Sequence, residues 1–460
     1  MFRSPLLTAA AAAGLWAQNA PTAWTPELSM QVQRVGGVAP SADGKLAAWT
    51  QTRAILEGEK SENLTHIHLW RGPGKTPLQL TRGEKGAADP SFSPDSKLLY
   101  FTSGRSGKKN IYRIALDGGE AEMITGWKGT LGAYKASPDG KWIAFPCAEQ
   151  DAEVEKARKE KRDFKVIDEK PRNHGLWLMP SEADAAGKRA PKELAAGGYH
   201  VGEFRWSPDG RRIAFVHRPT AEFDVARHAD ISEVEVETRT LKPLAATRDT
   251  ESEPRYSPDG RYLAFTKTLD GPSRLKGQRI ALLDRASGAL RVLPASPDEN
   301  PQLMDWSADS SKLYFSEPKH TRSAIYALPV DGPIASVHES AKGLVGAGIT
   351  NLWSMWGTND IPSTLDDYFG GTPWDQPELY RRQSAIFQAN KVKTPVLFLH
   401  GENDLRVPIG QAYEYYHALK RLGVVTKMVA YPRMPHGPSE PKFSVDIMQR
   451  HMDWADKYVK

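Results

Sequence analysis

The stretches WSPDGRRIAF (Trp206 to Phe215) and YSPDGRYLAF (Tyr256 to Phe265) decide how this chain folds. They are two copies of one unit. It recurs as PSADGKLAAW (Pro40 to Trp49), FSPDSKLLYF (Phe92 to Phe101), ASPDGKWIAF (Ala136 to Phe145) and WSADSSKLYF (Trp306 to Phe315). Pro presets φ for the first turn position, Asp bonds its own backbone, and Gly accepts positive φ. The apolar and aromatic run that follows reads as an inner strand. The aspartates at 43, 95, 139, 209, 259 and 309 recur at intervals near 50 residues. That period, in strand-rich sequence, predicts a β-propeller with one blade per repeat. Later runs such as NIYRIALDGG (Asn110 to Gly119) and SAIYALPVDG (Ser323 to Gly332) read as a blade's later strand and its turn.

Composition narrows the function classes. The 460 residues carry 61 Lys and Arg against 56 Asp and Glu, a surplus of +5. Spread over this length, the surplus gives no electrostatic footprint for nucleic acid. A single cysteine, Cys147, excludes an intramolecular disulfide framework and any Cys-rich zinc module. His66 and His68 alternate along an expected strand but have no acidic or cysteine partner at ligand spacing, so neither a metal nor a cofactor is expected. The charge-rich interval from Asp151 to Arg172 reads as a solvated insertion between blades. Residues 1–17, MFRSPLLTAAAAAGLWA, have a basic start, a short apolar run and a small residue at the end. They read as a signal peptide, which predicts export to the periplasm or medium. No later run is long and apolar enough to span a bilayer, so no membrane span is expected.

After about residue 340 the pattern changes. TPVLFLHG (Thr394 to Gly401) is a continuous apolar run, as for a parallel strand covered on both faces. PIGQAYEYYHALKRLG (Pro408 to Gly423) has helical spacing, TKMVAYP (Thr426 to Pro432) reads as a strand, and FSVDIMQRHMDWADKYVK (Phe443 to Lys460) as an amphipathic helix. This is an α/β layout. The fold expectation is mainly β plus α/β: a signal peptide at 1–17, a β-propeller over 18–340, and the C-terminal part of an α/β-hydrolase domain over 341–460.

The segments FGGTPWDQPELYRRQSAI (Phe369 to Ile386), HGENDLRVP (His400 to Pro408) and YPRMPHGPSEPK (Tyr431 to Lys442) resemble the prolyl oligopeptidase family of serine peptidases, in its acylaminoacyl-peptidase and dipeptidyl-aminopeptidase branch. That resemblance implies a propeller followed by a hydrolase domain, and a Ser-Asp-His mechanism acting on short peptides. By position it assigns the triad acid to Asp404 and the triad histidine to His436. Both follow expected parallel strands at their carboxyl ends, where open α/β sheets carry their sites. The order, acid before histidine, is that of α/β hydrolases.

The sequence departs from the family in one respect. No G-x-S-x-G elbow precedes Asp404, and no HGG-type oxyanion segment is present. LVGAGIT (Leu344 to Thr350) would follow that elbow in the family, so its outer edge is expected to lack a partner strand. Propping against the propeller, a homodimer, or low stability would each answer that exposure. Ser354, Ser384 and Ser439 are the remaining hydroxyls in the C-terminal part that invite attention as substitutes. Three readings stay open: a serine peptidase by descent whose own catalysis is impaired, a propeller module binding a peptide or protein beside a non-catalytic hydrolase remnant, and a longer gene that has lost its middle.

Overall fold

The computed structural model describes residues 24–148, 151–164, 172–245, 247–273, 276–319, 322–341 and 348–458. The expected signal peptide lies outside them. Helix α1 (Pro26–Gln31) is capped by the Thr25 hydroxyl, which accepts from the Leu28 amide at 3.2 Å. Six antiparallel sheets follow, and the four main strands of each run in chain order. Their first and second strands are Arg34–Pro40 and Ala47–Ile55, Ala87–Phe92 and Leu98–Ser103, Lys135–Ala136 and Trp142–Ala148, His200–Trp206 and Arg212–Arg218, Glu251–Tyr256 and Tyr262–Thr268, and Gln302–Trp306 and Lys312–Lys319. These are blades 1 to 6 of a β-propeller. Helix α2 (Ala152–Lys159) is solvated in the expected insertion of blade 3, with Asp151 capping it.

Each repeated turn closes in the same way. A serine hydroxyl donates to the aspartate two residues on, at 2.6 Å for Ser41, Ser93, Ser137, Ser207 and Ser307 and 2.5 Å for Ser257. The same carboxylate oxygen accepts a backbone N–H two residues further on, as Asp209 does from Arg211 at 3.0 Å. In blade 4 the serine oxygen also accepts the Arg212 amide at 2.9 Å, which starts the next strand. Donation from the serine holds Asp43, Asp95, Asp139, Asp259 and Asp309 below the ordinary 3.8, and Asp309 falls to about 2. At Asp209 burial pushes upward, and the Ser207 hydroxyl and Arg211 amide overcome it.

The strand after the turn is the second of its sheet. Within it the phenylalanine that ends each repeat, Phe101, Phe145, Phe215, Phe265 or Phe315, is fully buried. Ala144, Ala214 and Ala264 are buried on the opposite face of the same strands. Such strands are apolar on both sides because a neighbouring blade covers each side. Five buried clusters join blades 1–2, 2–3, 3–4, 4–5 and 5–6. The strand before the turn faces the first strand of the next blade and lines the axis. It is bulged: register shifts fall between Gly36 and Ala39, Ala88 and Ser91, Val201 and Phe204, Ser252 and Arg255, and Leu303 and Asp305. The bulges at Asp89 and Glu253 place non-glycine residues at φ of 55° and 56°.

The C-terminal part packs three short helices, α3 (Leu352–Thr358), α4 (Pro362–Phe369) and α5 (Pro377–Gln383), around Met355, Leu365, Tyr380 and Val407. The strands Val396–Gly401 and Thr426–Tyr431 pair in parallel, with α6 (Gly410–Arg421) between them in sequence and α7 (Pro441–Tyr458) last. Val396 to Leu399 are only half-buried, which differs from the expected two-sided cover. Among the described residues this sheet has only these two strands, so each is an edge with little beside it. Leu344 to Ala347 lie outside the described residues. Gly348 to Thr350 form no strand, and Thr350 is tied to α6 by its amide to Gln411 Oε1 (3.1 Å) and its hydroxyl to the Gln411 carbonyl (2.6 Å).

Two outcomes follow from the blade chemistry. Replacing Phe215 by Ala is expected to lower unfolding free energy by about 3–5 kcal/mol in chemical denaturation, because nothing can collapse into the gap between two blades. The turn carboxylates stabilise the fold above their ordinary value of 3.8, and that contribution is lost as pH falls toward about 2, where Asp309 titrates. Melting temperature is therefore expected to drop over this range, and to drop less in Asp309→Asn. Parallel curves for the two proteins would contradict the assignment.

Candidate active site

The two parallel strands end side by side, at Gly401 and Tyr431, and the loops beyond them carry the chemistry. The first loop turns sharply after Gly401. Glu402 N–H donates to the Tyr431 carbonyl (3.0 Å) and Asn403 N–H to the Met434 carbonyl (3.1 Å), binding one loop to the other. This closeness needs glycine: a Cβ on Gly401 would lie 2.1 Å from the Met434 carbonyl oxygen. Arg433, at φ 64°, turns the second loop, and its guanidinium grips Glu440 with two bonds of 2.9 and 3.0 Å.

Asp404 is 5 % exposed. Its Oδ1 accepts the amides of Arg406 (2.9 Å) and Val407 (2.8 Å), which fixes the carboxylate in place. His436 Nδ1 meets Asp404 Oδ2 at 3.0 Å and Oδ1 at 3.2 Å. The two residues singled out from the sequence are thus in direct contact. With Nδ1 carrying the proton toward the carboxylate, Nε2 is left as the basic nitrogen, the arrangement a general base requires. Among the described residues no side chain is hydrogen-bonded to Nε2. The imidazole side chain is 44 % exposed.

The three substitute hydroxyls are occupied elsewhere or unaimed. Ser384 is buried, donating to the Tyr380 carbonyl at 2.7 Å and accepting the Leu352 amide at 2.9 Å. Ser354 donates to Glu414 (2.9 Å) and accepts from Gln411 (2.7 Å). Ser439 is exposed, and its carbonyl accepts from Asn63 of blade 1 at 3.2 Å.

The sequence reading missed three supports. Gly401 is one. Arg406 is another: it bonds Asp360 at 2.7 and 3.2 Å and stacks 4.6 Å over Phe223 of the propeller. His400 is the third, buried with Nε2 2.7 Å from the Val407 carbonyl, bracing the loop from below. All three stand inside the HGENDLRVP segment, which was the available signal. Further bonds dock the two parts. Ser363 donates to Asp224 (2.6 Å), Ser273 to Asp367 (2.9 Å), and the Lys442 amide to Ser61 (3.0 Å). Among the described residues no helix is long and apolar enough to cross a membrane.

Comparison with known proteins bears on this geometry. Residues 341–460 match the model of the prolyl oligopeptidase family. The acylamino-acid-releasing enzyme of Arabidopsis thaliana is 32 % identical over 120 residues, 24 % of this chain and 16 % of that protein. Its counterpart in Mus musculus is 35 % identical over 118 residues, with the same shares. The match to this chain thus spans about a sixth of the length of these relatives. Among solved structures, acylaminoacyl peptidase of Pyrococcus horikoshii aligns over 95 % of this chain and 97 % of its own, with TM-score 0.57 and 14 % identity. A puromycin-hydrolyzing peptidase of Mycobacterium tuberculosis aligns over 95 % and 96 %, with TM-score 0.52 and 12 % identity. Those likenesses establish a shared fold.

Gly401→Ala is expected to push the His436 loop off the strand end, costing about 2–4 kcal/mol of stability. The Nδ1 proton resonance of His436, held by Asp404 in the parent protein, should then be lost to solvent exchange. Retention of that resonance with unchanged stability would contradict the close approach.

Proposed function

Because residues 341–460 match the model of the prolyl oligopeptidase family, we propose that this chain handles short peptides, and that Asp404 and His436 are the proton-handling half of a serine-peptidase mechanism. The observation that carries this reading is the 3.0 Å contact between His436 Nδ1 and the buried Asp404 carboxylate, with Nε2 unengaged. In such a mechanism Nε2 takes a proton from the attacking hydroxyl and returns it to the leaving amine, while the carboxylate stabilises the imidazolium. The resemblance to acylaminoacyl peptidases supports N-acylated or short unblocked peptides as the substrate class. Export, expected from residues 1–17, belongs to the same proposal.

The reading stops short of acyl transfer by this chain. It contains no G-x-S-x-G elbow, and Ser354 and Ser384 spend their hydroxyls on other partners. Removing the serine from a triad costs on the order of a millionfold in turnover. A positioned His–Asp pair acting on water recovers about 10²–10⁴ of rate by general base catalysis. Peptide binding without efficient cleavage is therefore the activity we assign to the chain, the propeller supplying the binding surface.

A fluorophosphonate probe and acyl-amino-acid anilides test this directly. No covalent adduct is expected, and anilide turnover should not exceed that of His436→Ala by more than about 10⁴-fold. Short peptides should still perturb tryptophan fluorescence. A stoichiometric adduct abolished by changing one serine would overturn the reading.

A further inference from the structure

The residue two places before the turn serine occupies the same register position in every blade. In chain order it is Ala39, Ser91, Lys135, Arg205, Arg255 and Asp305. Blades 3, 4 and 5 therefore set three cations side by side on the strands that line the axis. Their circumstances differ. Arg255 is fully engaged, donating to the carbonyls of Met304 (3.0 Å), Leu303 (2.9 Å) and Pro254 (2.9 Å) and to Glu203 (2.8 Å). Arg205 reaches the same Glu203 oxygen at 2.6 Å and the Phe204 carbonyl at 2.9 Å. One carboxylate oxygen thus serves two guanidiniums, and Arg205 keeps N–H groups to spare. The Lys135 backbone is held, since its carbonyl accepts the Trp206 indole N–H at 3.2 Å. Its half-buried ammonium makes no hydrogen bond or ion pair among the described residues.

An ammonium withdrawn from water without a partner is costly. The charged groups facing it are Arg205 and Glu203 of blade 4, Arg255 and Glu253 of blade 5, and Asp305 of blade 6. Two of these acids are already accepting backbone amides, Glu253 from Leu303 (2.6 Å) and Asp305 from Trp306 (2.9 Å). Desolvation first, then Arg205 and Arg255, outweigh Glu203 and Asp305 and bring the Lys135 amine down to about 8. A single negative charge placed between Lys135 and Arg205 would relieve both effects. A dianion such as phosphate would meet the three carboxylates.

We propose that Lys135 and Arg205 form a carboxylate-binding subsite at the propeller axis, which takes the C-terminal carboxylate of a short peptide. This rests on the peptide-binding reading above and specifies which end of the peptide the propeller holds. Lys135 supplies an ammonium with three free donors, Arg205 a planar donor edge, and Arg255 with Glu203 a fixed wall behind them.

The test is calorimetric binding of N-acetyl-dialanine as the free acid and as the amide, to the full chain. The acid is expected to bind at least tenfold more tightly than the amide. Lys135→Met should bring the two within about twofold, and Lys135→Arg should restore the preference. Neither variant should lower the parent melting temperature, since the Lys135 ammonium makes no hydrogen bond or ion pair among the described residues. Binding the acid at pH 8 should take up protons, read from the dependence of binding heat on buffer ionisation, because the carboxylate favours the charged amine; Lys135→Arg should bind without this uptake. Acetate at millimolar concentration serves as the small-carboxylate arm: competition against the acid peptide alone supports the subsite. Equal affinity for acid and amide in the parent protein, with both binding, overturns the subsite and leaves the peptide reading standing. Binding of neither peptide overturns both.

Discussion

The serine-to-aspartate hydrogen bond in each blade turn is the constraint on which the rest of this molecule depends. It is short, local and repeated in six turns. By fixing the turn it sets the register between the first and second strands. A one-residue slip would send Phe145, Phe215 or Phe265 to the wrong face. Register in turn decides which side chains meet between blades and which face the axis. The cation row at Lys135, Arg205 and Arg255 exists because three turns hold three strands in the same phase.

What the sequence made legible follows from that locality. The turns could be read because proline, aspartate and glycine act within four residues of one another. The period near 50 then gave the propeller. The strand after each turn reads as an inner strand, and it is the second of its sheet. Its apolar character reflects cover by two neighbouring blades and says nothing about distance from the axis. The strand before the turn is less apolar and bulged, with Asp89 and Glu253 at positive φ. No local pattern announces a bulge whose cause is the crowding of blades around an axis.

The site divides in the same manner. Asp404 and His436 could be named because the short segments that hold them resemble those of a known family, and each follows an apolar strand. Their contact depends on Gly401, whose missing side chain matters only because Met434, far along the chain, comes against it. Arg406 bonds Asp360 and stacks on Phe223, one partner 46 residues away and the other in the propeller. Such partners are fixed by the fold as a whole. The sheet shows a similar limit: the run Val396 to Leu399 has the composition of a strand covered twice, yet it is half-buried in a sheet of two strands among the described residues.

The loop bearing His436 is fastened at both ends to different bodies. Behind it stands the strand that ends at Tyr431. Ahead of it, Ser439 and Lys442 are held by Asn63 and Ser61 of blade 1. Two residues separate His436 from the first of these moorings. Rocking of blade 1 therefore acts as a lever on the ring, and the aim of Nε2 is a property of the joint between the propeller and the hydrolase part.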